Sequence, residues 1–246
     1  MTAQTDRFYF DSIEPLVSGR KVIVNNREAE HMSRVKRHRI GNQVLLINGK
    51  GYVAQCQITN IHKKNGVELD VKSVEFIQPS PLQLHIATAI PKGDRMETML
   101  DMLTQLGVTT ITPLIYARSQ PDGRRERQQR WQHVIIDACK QSRRAYLPEV
   151  KSLCSVDQFL NKVSSVGGGR WLADAGGCNP LIGSAVGSLT QTIVIGPEGG
   201  LDEEEKARFN ASGFEPLQLA ESILRIETAT IAAAILLGSL VKNKIS

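Results

Sequence analysis

From Leu82 to the C-terminal end, short apolar runs rich in β-branched residues alternate with longer stretches of helical periodicity. That alternation leaves few folds open, because strands separated by helices pair in parallel and need cover on both faces. The strand-like runs are 82–90, 109–117, 170–175, 191–196 and 215–220. Between them, 93–107 places Met96, Met99, Leu100, Leu103 and Leu106 on one helical face, and 124–144 does the same with Trp131, Val134, Ile135, Ala138 and Cys139. Residues 202–212 read as a helix with Asp202 as N-cap and three glutamates in its first turn. Residues 227–241, ETATIAAAILLGSLV, form a largely apolar helix that needs cover on more than one side.

The first 80 residues are different. Runs at 7–10, 21–24, 43–49, 52–61 and 67–77 are short, rich in Val, Ile and aromatics, and punctuated by Asn48-Gly49 and Asn65-Gly66. They predict a small β-barrel or sandwich with one basic helix over 26–41, closed by Gly41. The Pro/Ser stretch 78–82 marks the boundary, so the expected domains are 1–78 and 79–246.

Charge is uneven. Residues 1–81 hold 12 Lys/Arg against 8 Asp/Glu, residues 118–144 hold 8 against 3, and residues 145–246 hold 8 against 11. Two basic regions suit contact with a polyanion, although a solvated basic face gives the same counts. The four cysteines are widely spaced, with no C-x-x-C and no Cys/His cluster at zinc spacing, so neither a disulfide framework nor a metal site is expected. The N-terminus has no apolar leader and the longest apolar run, 231–241, is too short to span a bilayer. A cytoplasmic location with no membrane association is the expectation.

The stretch IGPEGG, 195–200, ends a strand-like run and precedes the acidic helix. Glycines at the carboxyl end of a parallel strand let a ligand approach the backbone closely. The pattern is neither G-x-G-x-x-G nor a P-loop, and Glu198 disfavours a phosphate there. A pocket for a neutral, apolar or cationic ligand fits better; a tight strand-to-helix turn is the plain alternative. About twenty residues on, LQLAESILRIETATIAAA (217–234) repeats the pattern of strand end, loop and helix, and TPLIYARS (112–119) ends a third strand at Arg118.

Taken in order, these segments resemble the SPOUT, or α/β-knot, methyltransferases, and among them the bacterial 16S rRNA uracil-1498 N3-methyltransferase family. RFYF and HMSRVKRHRIGN resemble that family's PUA-like RNA-binding barrel. PKGDRMETMLDMLTQLGVTTITPL resembles the first helix and strand of its catalytic domain, and ACKQSRRAYLPEV its central Gln-Ser-x-Arg-x-x-x-Pro stretch. IGPEGGLDEEE and LAESILRIETATIAA resemble its two cofactor loops. The chain departs from the family pattern at Met102, Gln105, Ala220 and Ile226.

The resemblance implies a trefoil-knotted, mainly parallel sheet behind a PUA-like β-barrel, with S-adenosylmethionine held in the knot. Cofactor contacts would come from Leu114, Ile195, Gly196, Pro197, Glu198, Gly199, Gly200, Leu219, Ala220, Ser222, Ile223 and Leu224. Glu198 has two roles open to it, meeting the ribose or sulfonium of the cofactor or binding nearby loop N–H groups. Arg118, Arg144 and Arg225 are candidates to stabilise the uracil anion; for Arg225 a loop-pinning role fits at least as well. Neither cofactor motif contains a histidine, so no base is assigned. Arg7, Arg34, Lys36, Arg37 and Arg144 would contact RNA, chiefly its phosphates. The implied partners are 16S rRNA in the small ribosomal subunit and a second copy of the chain, with no metal. A ribose 2′-O-methyltransferase and a catalytically inactive RNA-binding assembly factor are the competing functions.

Overall fold

The computed structural model describes residues 5–11, 17–62, 66–117, 125–178 and 188–245. The chain divides into two compact units: residues 1–79 with 136–147, and residues 80–135 with 148–246.

In the first unit, β1 (Arg7–Tyr9), β2 (Lys21–Asn25), β3 (Gln43–Ile47), β4 (Tyr52–His62) and β5 (Gly66–Phe76) form one mixed sheet in the order β1-β3-β4-β5-β2. Only β1 and β3 pair in parallel; the other pairs are antiparallel. Alternation sets the faces: in β2, Val22 and Val24 are buried while Lys21 and Ile23 face out. Phe8, Met32, Leu46, Ile58 and Leu69 fill the concave side of this half-barrel.

The basic helix is shorter than the sequence predicts. α1 (Asn26–Glu30) passes into a π-helical turn, His31–Val35, and the chain then leaves the helix. Arg37 adopts φ 56°, in the left-handed region that stops a helix, four residues before Gly41. Met32 and Ala29 are the residues of this segment that reach the core.

In the second unit, β6 (Gln83–Ala89), β7 (Thr110–Ile115), β8 (Glu149–Val150), β9 (Cys154–Ser155), β10 (Gly169–Cys178), β11 (Thr190–Ile195) and β12 (Glu215–Leu217) make an all-parallel sheet in the order β12-β10-β11-β6-β7-β8, with β9 also on β7. Its central strand β11 is buried from Gln191 to Ile195, as a strand covered on both faces must be. The helices are α2 (Arg95–Leu106), α4 (Val156–Val163), α5 (Glu203–Ala211) and α6 (Ile226–Ile245), with the first part of α3 (Arg125–Gln141), whose residues from Ile136 on belong to the first unit. α2 buries Met96, Met99, Leu100 and Leu103 and ends in a Schellman turn: Gly107 sits at φ 87° and the Val108 N–H donates to Leu103 O at 3.1 Å. α6 packs on α2, β6 and β11. Among the side chains described in α6, the buried ones, Ile226, Ala229, Thr230, Ala233, Ala234 and Leu237, follow helical spacing along one side. Among the described residues no helix is long and apolar enough to cross a membrane.

Candidate functional site

The two glycine- and loop-terminated strands come together. β11 and β12 flank β10, and at their carboxyl ends lies a cavity of about 280 Å³. Ile195, Gly196, Pro197, Glu198 and Gly200 line one side of it; Leu219, Ala220, Ser222, Ile223 and Leu224 line the other. Ten of the twelve residues singled out in the sequence for the cofactor thus share one cavity. Leu114 does not; it is buried in β7, in register with Ala89 and Cys154. Gly199 is also outside the lining.

The third wall is one that sequence reasoning missed. β10 shifts register against β12 between Ala173 and Cys178, and Ala173, Asp174 and Ala175 of this bulged stretch line the cavity. The crossing is close: a Cβ on Gly177 would stand 2.7 Å from Leu217 N and 2.8 Å from Gln218 N. The Ala-Gly-Gly run after Asp174 was the signal for it. Lys206, from α5, also reaches the cavity and lies 3.6 Å from the Asp174 carboxylate.

The loops that shape the cavity are fixed by buried polar groups. Asp202 caps α5 by accepting from the Glu205 N–H at 2.7 Å, and Glu205 returns the contact by accepting from the Asp202 N–H at 3.1 Å. The other Glu205 oxygen accepts from the Ala117 N–H at 2.9 Å, so one carboxylate that is 1% exposed ties the end of β7 to the start of α5. The fully buried Tyr116 donates its hydroxyl to Ile195 O at 3.0 Å, and burial raises its pKa well above the phenol range. Glu198 points back to the protein: Arg95 Nη1 lies 3.1 Å from its Oε1 and 3.6 Å from Glu227 Oε1. Electrostatically the rim carries two carboxylates, Asp174 and Glu198, facing Lys206 and Arg95, cations that they share with Glu203 and Glu227. The walls are apolar, and Ile223 stands at the edge 94% exposed.

Arg225 is exposed and outside the lining, and its carbonyl accepts the Ala229 N–H at 2.8 Å at the start of α6, a structural contact. Arg118 lies outside the described residues. Arg144 belongs to the first unit, half-buried beside Cys139, whose Sγ lies 3.2 Å from Arg144 O. Burial lowers the Arg144 pKa and raises that of the Cys139 thiol to about 11.

Of the residues expected to meet RNA, Arg34 and Lys36 are engaged in ion pairs, with Glu30 at 2.7 Å and Asp6 at 2.8 Å. Burial works against the Asp6 charge, but Lys36 and His38 outweigh it and hold that carboxyl below its usual range. Arg37 is exposed at its left-handed turn. Phe8 is fully buried against His31 and His38, with centroids 5.6 and 5.8 Å away, so it is core. Among the described residues no cluster of His, Cys, Asp and Glu is arranged to hold a metal ion.

Comparison with known proteins places this arrangement. Residues 78–238 match the model of an RNA methyltransferase domain, and residues 24–72 that of an RNA methyltransferase PUA domain. The chain is 28% identical over 226 residues to the ribosomal RNA small subunit methyltransferase E of Synechocystis, covering 90% of this chain and 74% of that protein. It is 26% identical to the protein of the same name in Bacillus subtilis, over 85% of this chain and 86% of that one. Among solved structures, a putative methyltransferase of Legionella pneumophila in complex with SAM superposes with a TM-score of 0.87 at 31% identity, over 96% of this chain and 98% of that one. The Neisseria gonorrhoeae ribosomal RNA small subunit methyltransferase E bound to S-adenosylmethionine gives 0.88 at 29% identity, over the same shares. The half-barrel before a parallel α/β sheet is the SPOUT architecture with a PUA-like domain that the resemblance implied. With the catalytic-domain match extending over well more than half its length, the chain belongs to the RNA methyltransferase family.

Proposed function

We propose that this protein is an S-adenosylmethionine-dependent methyltransferase that forms N3-methyluridine at position 1498 of 16S rRNA in the small ribosomal subunit. The observation that carries the reading is the single cavity at the carboxyl ends of β10, β11 and β12, wrapped by both signature loops, with Ile223 left 94% exposed on its rim. A large aliphatic side chain so exposed beside an apolar cavity suits a ligand that covers it. Two relatives of the same fold hold S-adenosylmethionine.

The cavity suits that cofactor. Its apolar walls, Ile195, Leu217, Leu219 and Leu224, accommodate an adenosine, and Gly196 leaves backbone open to it. Asp174 and Glu198 share Lys206 and Arg95 with Glu203 and Glu227, four carboxylates against two cations, and the resulting negative potential favours a ligand carrying a sulfonium and an ammonium. When bound, S-adenosylmethionine supplies a methyl group on positive sulfur. The protein's part is to hold that group in line with the uridine nitrogen and to exclude water. The target base must leave its stack to be reached. The rigid frame for this is the pair of loops fixed by Glu205 and by Tyr116. We further propose a homodimer built through α6, whose side carrying Ile231, Ala232, Ile235 and Leu236 is incompletely covered, with Ile235 51% exposed.

The test is to incubate the protein with S-adenosylmethionine and small subunits from a strain deleted for the gene, then map the product by mass spectrometry. A methyl group on N3 of uridine 1498 supports the reading. A methyl on a ribose 2′-oxygen, or none, overturns it. Gly196→Val supplies the control for the cavity. A Cβ there already stands 3.2 Å from Leu201 Cγ, so the branched side chain must displace Leu201, itself part of the lining, and cofactor binding should be lost.

A further inference from the structure

The first unit contains a second cavity, of about 580 Å³, remote in sequence from both signature loops. Three segments form it: the lead into β1, the α1–π-helix segment, and the end of α3 with the turn after it. The π-helical turn is part of the wall through His31 and Val35, and single π turns recur at functional sites.

The charges around this cavity sort into two groups. Most cations are already matched. Lys36 pairs with Asp6 at 2.8 Å, Arg27 with Asp137, and Lys140 with Glu28 at 2.7 Å and Asp137 at 2.9 Å. Two cations in the lining, Arg7 and Arg143, have no carboxylate partner among the described residues. Arg7 Nη1 is buried and has no hydrogen-bond partner among the described residues. A guanidinium nitrogen withdrawn from water and left unpaired is costly, so it marks a missing acceptor. Arg143 is held by the protein in the left-handed region at φ 60°, an unusual conformation for arginine. Burial, and then the charge of Arg143, lowers the Arg7 pKa, so the two guanidinia feel each other. Two like charges facing one cavity are relieved by an anion between them.

We propose that Arg7 and Arg143 form a seat for a single phosphodiester group of the bound RNA strand. A phosphodiester carries one negative charge and two free oxygens, enough to accept from both guanidinia. His31 lines the same cavity, where burial and then the Lys140 charge lower its pKa, with Glu28 and Asp137 acting against them. This seat rests on the RNA-modifying function proposed above and adds to it a fixed register. One phosphate held in a cavity positions the strand, whereas phosphate contacts to mobile surface lysines do not.

The test uses the full-length protein and a short single-stranded RNA carrying the target uridine and its 16S flanks. Binding is followed by fluorescence anisotropy for the wild type, Arg7→Gln and Arg143→Asn, the asparagine being chosen because it tolerates positive φ. Each substitution should weaken RNA binding roughly tenfold, the scale of a charge-assisted hydrogen bond. The pair should weaken it by less than the product, since both arginines hold one group. Next, a neutral methylphosphonate replaces each linkage in turn. At one linkage it should weaken wild-type binding while leaving Arg7→Gln and Arg143→Asn unaffected. If every linkage acts equally on wild type and variants, no single phosphodiester is seated and the proposal falls. If inorganic phosphate at millimolar concentration displaces the RNA and no linkage is singled out, the cavity takes free phosphate, which also overturns it. Cofactor binding by calorimetry separates this failure from that of the proposed function. A wild type that binds S-adenosylmethionine and RNA, with unaffected arginine variants, loses the seat and keeps the function. A wild type that binds no RNA loses both.

Discussion

Arg95 Nη1 lies between two carboxylates, 3.1 Å from Glu198 Oε1 in the loop after β11 and 3.6 Å from Glu227 Oε1 at the start of α6. One side chain from α2 therefore links both elements that carry the signature loops. Glu227 depends on it more than Glu198 does: its side chain is 18% exposed, and its Oε2 is buried with no partner among the described residues. Arg95→Gln should raise the dissociation constant for S-adenosylmethionine about fivefold. Each partly exposed pair contributes only ~0.2–1 kcal/mol, and two are lost together. Isothermal calorimetry at low and high salt checks this. The loss should shrink as salt screens the wild-type pairs, and an affinity that does not change would show that the loops hold their shape without Arg95.

Gly176 and Gly177 are neighbours with opposite expectations. A Cβ on Gly177 meets the backbone of Leu217 and Gln218 at 2.7–2.8 Å, while on Gly176 the nearest atom is Asp174 Oδ1 at 3.5 Å. Backbone cannot move aside as a side chain can. Gly177→Ala should cost more than ~2 kcal/mol of stability and spoil the cavity wall beside it, whereas Gly176→Ala should stay within ~0.5 kcal/mol. Urea denaturation of both variants decides it, and equal stabilities would mean β10 and β12 approach less closely than the structure shows.

That pair also explains what could be read from the sequence and what could not. Strand and helix periods between Leu82 and the C-terminus are strong local signals, and the parallel sheet follows them. The two loops were legible as ligand loops only together, since each follows a strand end and opens a helix; IGPEGG alone reads as well as a tight turn. Asp174 and Lys206 were not, because they enter the cavity through pairing of β10 with β12 and the placement of α5, both long-range. α4 was missed although its N-terminus is marked: Ser155 accepts from the Gln158 N–H at 3.2 Å and Gln158 returns the bond at 3.1 Å. The overlong basic helix failed for a different reason. Charge says nothing about φ, and Arg37 turns left-handed where only tertiary context asks for it. Likewise, charge counts could not separate Arg34 and Lys36, which are paired, from Arg7 and Arg143, which have no carboxylate partner among the described residues.

His85 gives a pH dependence that can be isolated. It sits on β6 with its Nε2 2.8 Å from Thr112 Oγ1, and burial, aided by Lys151, pushes its pKa down to about 4, only partly offset by Glu149. The folded protein thus keeps His85 neutral at a pH where the unfolded chain, near 6.5, has taken up a proton. Its contribution is intact above 6.5 and is lost as pH falls toward 4. Between pH 6.5 and 5 the wild type should lose on the order of 2 kcal/mol more stability than His85→Gln. Urea midpoints of the two proteins across that range measure the difference directly, and parallel curves would mean His85 titrates normally in the folded state.

The dimer proposal rests on the uncovered side of α6. Ile226, Ala229, Thr230, Ala233, Ala234 and Leu237 are buried within the unit, which accounts for one helical face. Ile231, Ala232 and Leu236 remain half-covered and Ile235 is 51% exposed. A helix apolar on its outer side as well needs a second surface, and the small residue Ala232 lets another helix come close. Two copies related by a twofold axis would place this side against itself. Ile235→Glu should then convert the protein to a monomer, since two carboxylates would face each other across the axis in a water-poor interface. Light scattering coupled to size-exclusion chromatography gives the mass of both proteins. Near-identical circular dichroism would confirm that the variant is folded, as the exposed position predicts. A wild type that runs as a monomer at assay concentration, or a dimer that Ile235→Glu leaves intact, would remove α6 from the interface.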